Sequence, residues 1–318
     1  MSKIVITGGA GFIGSHIAES LAKDGHEIVI VDNLDPYYSI DLKRKNLDIV
    51  LDSGNATYIN ADVTDLSGMK DIIDSTVDYV YHEAAQAGVR ISVQDPFKPN
   101  DVNVLGTLNV LKASLDAGVK KVINASSSSV YGKVKYLPFD EQHPTEPVSP
   151  YGVSKLAAEH YCRVFYEVYG LPTTSLRYFT VYGPRMRPDL AISIFTGKML
   201  SNEPITVFGD GEQTRDFTYI EDVVEANKRL LNNKLTDGKV LNIGGGNRIS
   251  VNDLIETLRS ITCSTSEIIY ADKQKGDTED TLANTDLGNK LIGYTPQFDI
   301  TKGLNKFVDW FKTEKKNS

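Results

Sequence analysis

The chain has 318 residues, of which 41% are hydrophobic and 24% charged, and it carries a net charge of −8. This acidic balance argues against a nucleic-acid-binding protein, which usually shows a basic face, although local arginines can still bind a small anion. No apolar run approaches the roughly 18 residues of a membrane span, and two distant cysteines predict a cytoplasmic protein without disulfides or a zinc site.

The first motif combines a strand, a glycine-rich turn and a helix. The β-branched run Ile4–Ile6 is followed by closely spaced glycines, and apolar residues then recur at helical spacing. Glycine is required because the turn is tight and a pyrophosphate must approach the backbone closely; the helix N-terminus then offers free N–H groups. An ordinary tight turn fits the same pattern. As a dinucleotide site, the turn contributes Gly8, Gly11, Phe12, Ile13 and Gly14.

A carboxylate at the end of the next predicted strand favours the dinucleotide site. The apolar run Ile28–Val31 leads directly into Asp32, which follows Gly11 by 21 positions. An acid about 20 residues after the glycines binds the adenosine ribose in dinucleotide-binding folds. Because this carboxylate would repel a 2′-phosphate, we expect NAD rather than NADP as the cofactor.

Strand and helix signals alternate through the first half of the chain. Such alternation predicts an α/β protein with a Rossmann-type, doubly wound parallel sheet, in which ligands bind beyond the carboxyl ends of the strands. A helix over Asn103–Asp116 stops at Gly118, and a second helix covers Ala157–Tyr169. The further predicted strands are Thr57–Ile59, Val77–His82, Lys121–Ala125 and Thr173–Phe179.

The second half of the chain is richer in glycine, proline and arginine from Gly183 onward. We therefore expect an NAD-binding domain over 1–180 and a smaller C-terminal substrate-binding domain over 181–318. The apolar run Val240–Ile243 is a candidate strand that could return to the first sheet, so the two domains are expected to interleave in part.

A tyrosine and a lysine four residues apart form the candidate acid–base group. Tyr151 and Lys155 share one face if they open the predicted helix. A free tyrosine has a pKa of about 10, and a nearby lysine cation lowers that pKa by favouring the phenolate. The run Ser126–Ser129 ends a predicted strand, where a hydroxyl can bond a substrate hydroxyl and move its proton. An exposed helix start and a serine-rich loop are the structural alternatives.

These motifs, in this order, make the chain resemble the extended short-chain dehydrogenase/reductase family, and within it the nucleotide-sugar 4-epimerases. The resemblance covers nearly all of the chain, from Thr7 to Asp277. It implies that Tyr151 is the acid/base, that Lys155 binds the nicotinamide ribose and that Ser127 assists. The implied cofactor contacts beyond the glycine turn and the acid after the second strand are Asn33, Asp62, Val63, Ala84 and Ala85.

The resemblance also implies a UDP-sugar substrate and a homodimer. Phe208, Arg215 and Asp277 match contacts to the UDP part, with Arg215 on phosphate. An arginine suits a diphosphate because its planar fork offers paired donors. The helices over 103–116 and 151–169 match a dimer interface of the family.

The mechanism that the resemblance implies is oxidation at sugar C4, followed by reduction of the resulting ketone. Tyr151 as phenolate takes the C4 hydroxyl proton through Ser127, hydride passes to NAD+, and the flat 4-ketose turns over before the hydride returns. Dehydratases and decarboxylases carry a carboxylate after the active hydroxyl residue, where this chain has Ser128 and Ser129, so those reactions are less expected. A non-catalytic NAD-binding sensor would be free to lose Tyr151 or Lys155, yet both are present.

The preferred sugar is predicted from segments near the strand ends. Thr180 stands where the UDP-glucose epimerases that the chain resembles carry asparagine. The runs over 85–90 and 182–189 resemble those of UDP-glucuronate 4-epimerases. A C6 carboxylate needs hydroxyl or arginine donors, although Arg185 and Arg187 could instead brace a loop or bind the diphosphate. We predict UDP-glucuronate, with UDP-glucose/UDP-galactose and their N-acetyl forms as alternatives. The predicted sugar-side residues are Arg90, Ser127, Ser128, Thr180 and Arg185.

Two polar residues at the end of one predicted strand have no role in this scheme. His82 and Glu83 are adjacent, but a protein metal site usually needs three or four ligands, and we predict no metal. Glu83 stands where an apolar residue is common in the family.

Overall fold

The computed structural model describes residues 1–272 and 280–316, which form a seven-stranded sheet, two smaller sheets and the helices around them. The strands are β1 (Lys3–Thr7), β2 (Glu27–Val31), β3 (Ala56–Ile59), β4 (Tyr79–His82), β5 (Lys121–Ser127), β6 (Thr173–Tyr178), β7 (Thr180–Tyr182), β8 (Ile205–Phe208), β9 (Thr214–Tyr219), β10 (Lys239–Ile243), β11 (Arg248–Ser250) and β12 (Ile268–Ala271). The helices are α1 (Phe12–Lys23), α2 (Ile40–Asp52), α3 (Leu66–Ile72), α4 (Val89–Gln94), α5 (Phe97–Pro99), α6 (Gly106–Ala117), α7 (Pro150–Tyr169), α8 (Ala191–Leu200), α9 (Ile220–Lys228), α10 (Val251–Thr262), α11 (Asp286–Ile292) and α12 (Ile300–Lys316).

The central sheet has the strand order β10-β6-β5-β4-β1-β2-β3, and all neighbouring strands in it are parallel. Alternate residues of β1 enter two different hydrophobic clusters, with Ile4 and Ile6 in one and Val5 in the other. The sheet is therefore buried on both faces, which explains the almost continuous Ile and Val runs of its strands. The predicted Rossmann-type, doubly wound parallel sheet is confirmed.

The second half of the chain adds two small sheets and returns once to the large one. One small sheet has the order β11-β9-β7, and the other pairs β12 with β8. The strand predicted over 240–243 is present as β10 and pairs in parallel with β6 at the edge of the central sheet. The small sheets were not placed from the sequence, because their strands are short and pair across long separations in the chain.

The helix predicted over 103–116 is present in two parts. A π-helical segment over Asn100–Leu105 leads into α6, and Gly118 ends α6 in the left-handed region, with φ of 73°. In the part of the chain that the structure describes, no helix is long and apolar enough to cross a membrane.

The helix α7 begins at Pro150, earlier than the predicted start at Ala157. The Ser149 hydroxyl caps it by accepting a hydrogen bond from a first-turn backbone N–H, and proline is favoured at the first helical position because it has no N–H to satisfy. The earlier start places Tyr151 and Lys155 inside the first two turns, on one face of the helix.

A buried ion pair fixes α7 against the central sheet. The Nε and Nη2 atoms of Arg177 on β6 donate to the two carboxylate oxygens of Glu159 on α7, at 2.9 and 2.8 Å. Both side chains are almost fully buried, and the Ser126 hydroxyl at the end of β5 donates to the same carboxylate. The Arg177 guanidinium also lies over the ring of Tyr131, 4.7 Å from its centroid. Paired and hydrogen-bonded in this way, two buried charges can be tolerated.

Replacing Glu159 with alanine is expected to destabilise the protein strongly, because Arg177 would keep an uncompensated buried charge. Removing one member of a buried pair costs about 3–5 kcal/mol. The measurement is the free energy of unfolding in urea. Glu167→Ala on the same helix is the control, because its pair with Arg163 is exposed and should contribute well under about 1 kcal/mol. Equal losses in the two variants would contradict the expectation.

Candidate active site

A cavity of about 480 Å³ opens at the carboxyl ends of the central strands. This is the edge at which parallel α/β sheets bind ligands. Its lining includes most of the predicted site residues, namely Gly8, Gly11, Phe12, Ile13, Gly14, Asp32, Asn33, Asp62, Val63, Ala84, Ala85, Ser127, Ser128, Tyr151, Lys155, Thr180 and Arg215.

The glycines of the turn between β1 and α1 allow the backbone to pack closely at the carboxyl end of β1. Gly8 has a φ of 71°, and a Cβ atom there would lie 2.6 Å from the Ala84 nitrogen. A Cβ atom on Gly14 would lie 2.4 Å from the Gly8 carbonyl oxygen. Gly11 precedes α1, and no side chain caps this helix, so its first N–H groups remain available to a phosphate. The Tyr38 hydroxyl is buried beside Gly11 without a hydrogen-bond partner. The turn fits the diphosphate of a dinucleotide.

The Asp32 carboxylate lies at the end of β2, where the sequence predicts a ribose ligand. Its oxygens accept hydrogen bonds from the backbone N–H groups of Ala10, at 3.2 Å, and Leu34, at 2.9 Å. The Lys43 ammonium lies 3.9 Å away, buried, and also lines the cavity. Lys43 is not predicted from the sequence, because nothing in its spacing separates it from the other lysine of α2, Lys45.

A second pair of polar residues, Asn33 and Asp62, lines the same cavity. The Asn33 amide donates to the Asp62 carboxylate at 2.8 Å, which joins the chain after β2 to the chain after β3. Val63 lies beside them in the cavity wall, and Ala84 and Ala85 follow β4. The structure therefore brings the predicted cofactor residues together in the lining of one cavity.

The acid–base group lies at the junction of β5 and α7. Ser127 ends β5 and forms a hydrogen bond with Tyr151 on α7. The Lys155 ammonium donates to the carbonyl oxygen of Ala125 at 2.7 Å, which ties the second turn of α7 to β5. The Ser92 hydroxyl accepts from the backbone N–H of Tyr151 at 3.1 Å. These contacts hold the phenol, a serine hydroxyl and an ammonium group on one wall.

The electrostatics of Tyr151 differ from the sequence prediction. Burial raises the pKa of the Tyr151 phenol, while the hydrogen bond with Ser127 and the positive charge of Arg187 act to lower it. Burial lowers the pKa of Lys155 to about 8, and the negative charge of Glu83 opposes this fall. The cation that opposes this rise in the pKa of Tyr151 is Arg187. The helix spacing predicts Lys155 in that role.

The two arginines of the 182–189 segment have different positions. Arg185 has a φ of 62°, and its guanidinium pairs with Glu19 on α1 and lies 3.4 Å from the Ser15 hydroxyl. Arg185 does not line the cavity, and its guanidinium is directed to α1 rather than to the predicted sugar side. Arg187 lines the cavity instead. Arg185 and Arg187 are only two residues apart, but the backbone between them turns, so that Arg185 contacts α1 and Arg187 lines the cavity.

Arg187 is part of a cluster that joins two cavity loops. Its Nε and Nη2 atoms donate to the carboxylate oxygens of Asp189 at 2.9 and 2.8 Å. The guanidinium lies over the ring of Tyr37, 5.2 Å from its centroid, and the Tyr37 hydroxyl donates to Asp189 at 3.2 Å. The loop after β2 is thereby joined to the loop before α8. Two of the three residues, Tyr37 and Arg187, line the cavity.

The predicted UDP contacts are partly gathered at the far end of the cavity. Arg215 on β9 lines the cavity, and its guanidinium donates to the Thr214 carbonyl oxygen at 2.9 Å. Arg90 on α4 stacks on Phe208 at the end of β8, with 4.9 Å between guanidinium carbon and ring centroid, but neither lines the cavity. Asp277 lies outside the described residues.

The two polar residues at the end of β4 have separate environments. His82 is buried between the hydroxyls of Thr7 and Thr107, at 2.7 and 2.9 Å. Glu83 faces the cavity and accepts a hydrogen bond from the Tyr178 hydroxyl at 3.0 Å. Within residues 1–272 and 280–316, no group of three or more His, Cys, Asp and Glu side chains could hold a metal ion.

Comparison with known families agrees with this geometry. Residues 4–244 match the NAD dependent epimerase/dehydratase family, and the match covers the glycine turn, Asp32, Tyr151 and Lys155. The chain belongs to this family. Its sequence resemblance to the extended dehydrogenase/reductase epimerases is confirmed.

Relatives that act on different sugars are about equally similar. A UDP-glucuronate 4-epimerase of Thermodesulfobacterium geofontis is 38% identical over 98% of this chain and 97% of that protein. The structure of a Bacillus cereus UDP-glucuronic acid 4-epimerase with UDP-glucuronic acid and NAD is 37% identical, with a TM-score of 0.92 over 98% of this chain and 99% of that one. A Thermotoga maritima UDP-glucose 4-epimerase with UDP-glucose is 37% identical, with a TM-score of 0.91 and the same coverage.

Proposed function

We propose that this protein is an NAD-dependent UDP-sugar 4-epimerase whose preferred substrate is UDP-glucuronate. The observation that carries the proposal is that one cavity joins the glycine turn and Asp32 to Tyr151, Ser127 and Arg187. A dinucleotide, a base for a sugar hydroxyl and a cation for a sugar carboxylate can therefore meet in one place.

The cofactor side of the proposal rests on chemistry that the lining supplies. The glycine turn fits a diphosphate, Asp32 suits a ribose diol without a 2′-phosphate, and Lys155 suits the second ribose. NAD, when bound, accepts a hydride from the sugar and gives it back. The cofactor residues that we propose are Gly8, Gly11, Phe12, Ile13, Gly14, Asp32, Asn33, Asp62, Val63, Ala84, Ala85, Tyr151 and Lys155.

Tyr151 is the group that we propose takes and returns the proton of the C4 hydroxyl. Its hydrogen bond with Ser127 provides a bridge, because a serine hydroxyl can donate one proton while it accepts another. The Arg187 charge favours the phenolate form. Neither Ser128 nor Ser129 is a carboxylate, so the site lacks the acid that elimination needs at this position.

The preference for UDP-glucuronate is supported by the donors that line the cavity. Ser128 and Thr180 provide hydroxyls, and Arg187 keeps Nη1 hydrogens that the pair with Asp189 does not use. A charge-assisted hydrogen bond to a carboxylate is about twice as strong as a neutral one. We therefore assign to Arg187 the role of carboxylate ligand that the sequence predicts for Arg185.

A second candidate substrate is UDP-glucose, together with its galactose epimer. Asp189 already neutralises Arg187 in the structure, so the cavity wall also suits a sugar with an uncharged C6 group. We propose that Arg215, Phe208 and Asp277 serve the UDP part in either case, and that Arg90, which the sequence predicts on the sugar side, also serves it because it stacks on Phe208.

The domain division and location that we propose follow from the same features. Residues 1–180 form the NAD-binding domain and 181–318 the nucleotide-sugar domain, interleaved through β10. A cytoplasmic location is supported by two unpaired cysteines, buried Cys162 and exposed Cys263.

We also propose a homodimer formed by α6 and α7. An apolar stripe runs along the outer face of α7 at helical spacing, with Val153 54%, Tyr161 37%, Val164 37% and Val168 66% exposed. Leu105, just before α6, is 44% exposed. A contiguous apolar face of this kind is typical of an interface between subunits.

Replacing Tyr151 with phenylalanine should nearly abolish turnover and leave UDP-sugar binding almost intact, because only the proton-transferring hydroxyl is lost. The expected fall in kcat is about 10²–10⁴-fold. Steady-state kinetics and calorimetric titration measure the two effects. Tyr169→Phe, at the exposed end of the same helix, is the matched control and should keep wild-type kcat. A wild-type kcat in Tyr151→Phe would mean that another group is the base.

A panel of UDP-sugars tests the substrate. We expect a higher kcat/KM for UDP-glucuronate than for UDP-glucose, and a preference that falls about 10-fold or more in Arg187→Met, since a hydrogen bond to a charged group contributes about 1.5–3 kcal/mol. Arg185→Met is the control, because that guanidinium pairs with Glu19 outside the cavity; its ratio should not change. A wild-type preference for UDP-glucose would overturn the carboxylate assignment and favour the second candidate.

Light scattering tests the dimer. The wild-type protein should have about twice the 35.0 kDa chain mass. Val164→Glu should give monomers, because it places a charge in the apolar stripe. Ile269→Glu changes an equally exposed residue on β12, away from α7, and should remain dimeric. A monomeric wild-type protein would refute the proposal.

A further inference from the structure

Glu83 is a carboxylate on the wall of the reaction cavity that the proposed chemistry does not use. It follows β4 directly and lines the cavity together with Ala125, Tyr151, Lys155 and Tyr178. The Tyr178 hydroxyl donates to Glu83 Oε1 at 3.0 Å and is itself held by Asn227, whose amide donates to it at 2.9 Å. The carboxylate is therefore anchored at a fixed place beside the acid–base group.

The groups that face Glu83 come from three elements. Lys155 and Tyr151 face it from α7, Tyr178 faces it from β6, and Tyr81 belongs to its own strand β4. Among these groups Lys155 is the cation, and its ammonium is also fixed to the Ala125 carbonyl. Lys155 and Glu83 line the same cavity, where opposite charges favour each other's ionised form.

The pKa directions agree with such a pair. Burial raises the pKa of Glu83 to about 7, and the Tyr178 hydrogen bond and the Lys155 charge oppose the rise. Burial lowers the pKa of Lys155 to about 8, and Glu83 opposes that fall. A second positive charge in the same cavity would hold Glu83 ionised over a wider pH range.

We propose that Glu83 is an electrostatic positioning residue that stabilises positive charge beside Tyr151, and so favours oxidised over reduced nicotinamide in this cavity. The inference rests on the proposed function, in which sugar C4 loses a hydride to NAD+ and a proton to Tyr151. The nicotinamide ring is cationic when oxidised and neutral when reduced. A fixed carboxylate therefore stabilises the oxidised form and helps the hydride to return to the ketose.

This role differs from that of a simple hydrogen-bond acceptor for Tyr178. A neutral amide at position 83 can accept the same hydrogen bond, but it cannot balance a cation. An epimerase releases no net reductant, so a cofactor that stays reduced after the ketose leaves is a dead end. A carboxylate that disfavours the reduced cofactor makes it less frequent for the ketose to leave while the cofactor is still reduced.

The test compares the affinities of NAD+ and NADH in the absence of any sugar. Glu83→Gln keeps an acceptor for Tyr178 and removes the charge. We expect the ratio of the NADH to the NAD+ dissociation constant, measured at pH 8.5, to fall about tenfold, since a nearby opposite charge favours a charged form by a factor of about 10 or more. Glu141→Gln is the matched control. That glutamate is also partly buried and accepts from the Asn242 N–H at 2.8 Å, but it does not line the cavity. Its ratio should equal that of the wild type.

The pH dependence of the same ratio gives a second readout, which the wild type alone can supply. In the wild type, the preference for NAD+ should weaken as the pH falls through about 7 and Glu83 gains its proton. In Glu83→Gln that loss should be absent, so the two proteins should converge at low pH. An unchanged ratio in Glu83→Gln, or a wild-type ratio independent of pH, would overturn the proposal. Failure of the wild type to bind either nucleotide would instead refute the proposed function.

Discussion

The position of every reactive group in the cavity depends on how α7 is fixed against the central sheet. Glu159 pairs with Arg177 of β6 and accepts from Ser126 of β5, while Lys155 donates to the carbonyl oxygen of Ala125. Contacts one and two turns below Tyr151 therefore hold the helix to two different strands. These contacts place the phenol through its helix, on the wall of a cavity that a substrate can enter.

Charge in the cavity is arranged as cation–carboxylate pairs. Lys43 lies near Asp32, Arg187 is bonded to Asp189, and Lys155 faces Glu83. Such pairs keep an enclosed site close to neutral, so burial of the groups is tolerated. They also explain how a chain with a net charge of −8 can present donors to anionic ligands. The net charge is a property of the whole protein. What the cavity can bind depends instead on which carboxylate is paired with each of its cations.

The sequence was informative where local pattern determines structure. The glycine turn, Asp32 and the Tyr151–Lys155 spacing are features of single strand–turn–helix units, and the parallel sheet brings their ends together. Arg185 and Arg187 show the limit of such reasoning, because the left-handed backbone at Arg185 directs the two guanidinium groups to different sites. No periodicity predicts that turn. Lys43 and the small second-half sheets were missed for a related reason, since their roles depend on contacts far apart in the chain.

The return of β10 to the central sheet has a consequence for biosynthesis. Strand β6 ends at Tyr178, but its outer neighbour does not begin until Lys239. In a nascent chain β6 is therefore the edge strand of the sheet, with unpaired N–H and C=O groups, until β10 has also been made. A fragment that stopped near residue 180 would keep β6, a strand buried along its whole length in the complete protein, as an exposed edge and would be prone to aggregate. The stretch 1–180 is thus not a unit that can be excised.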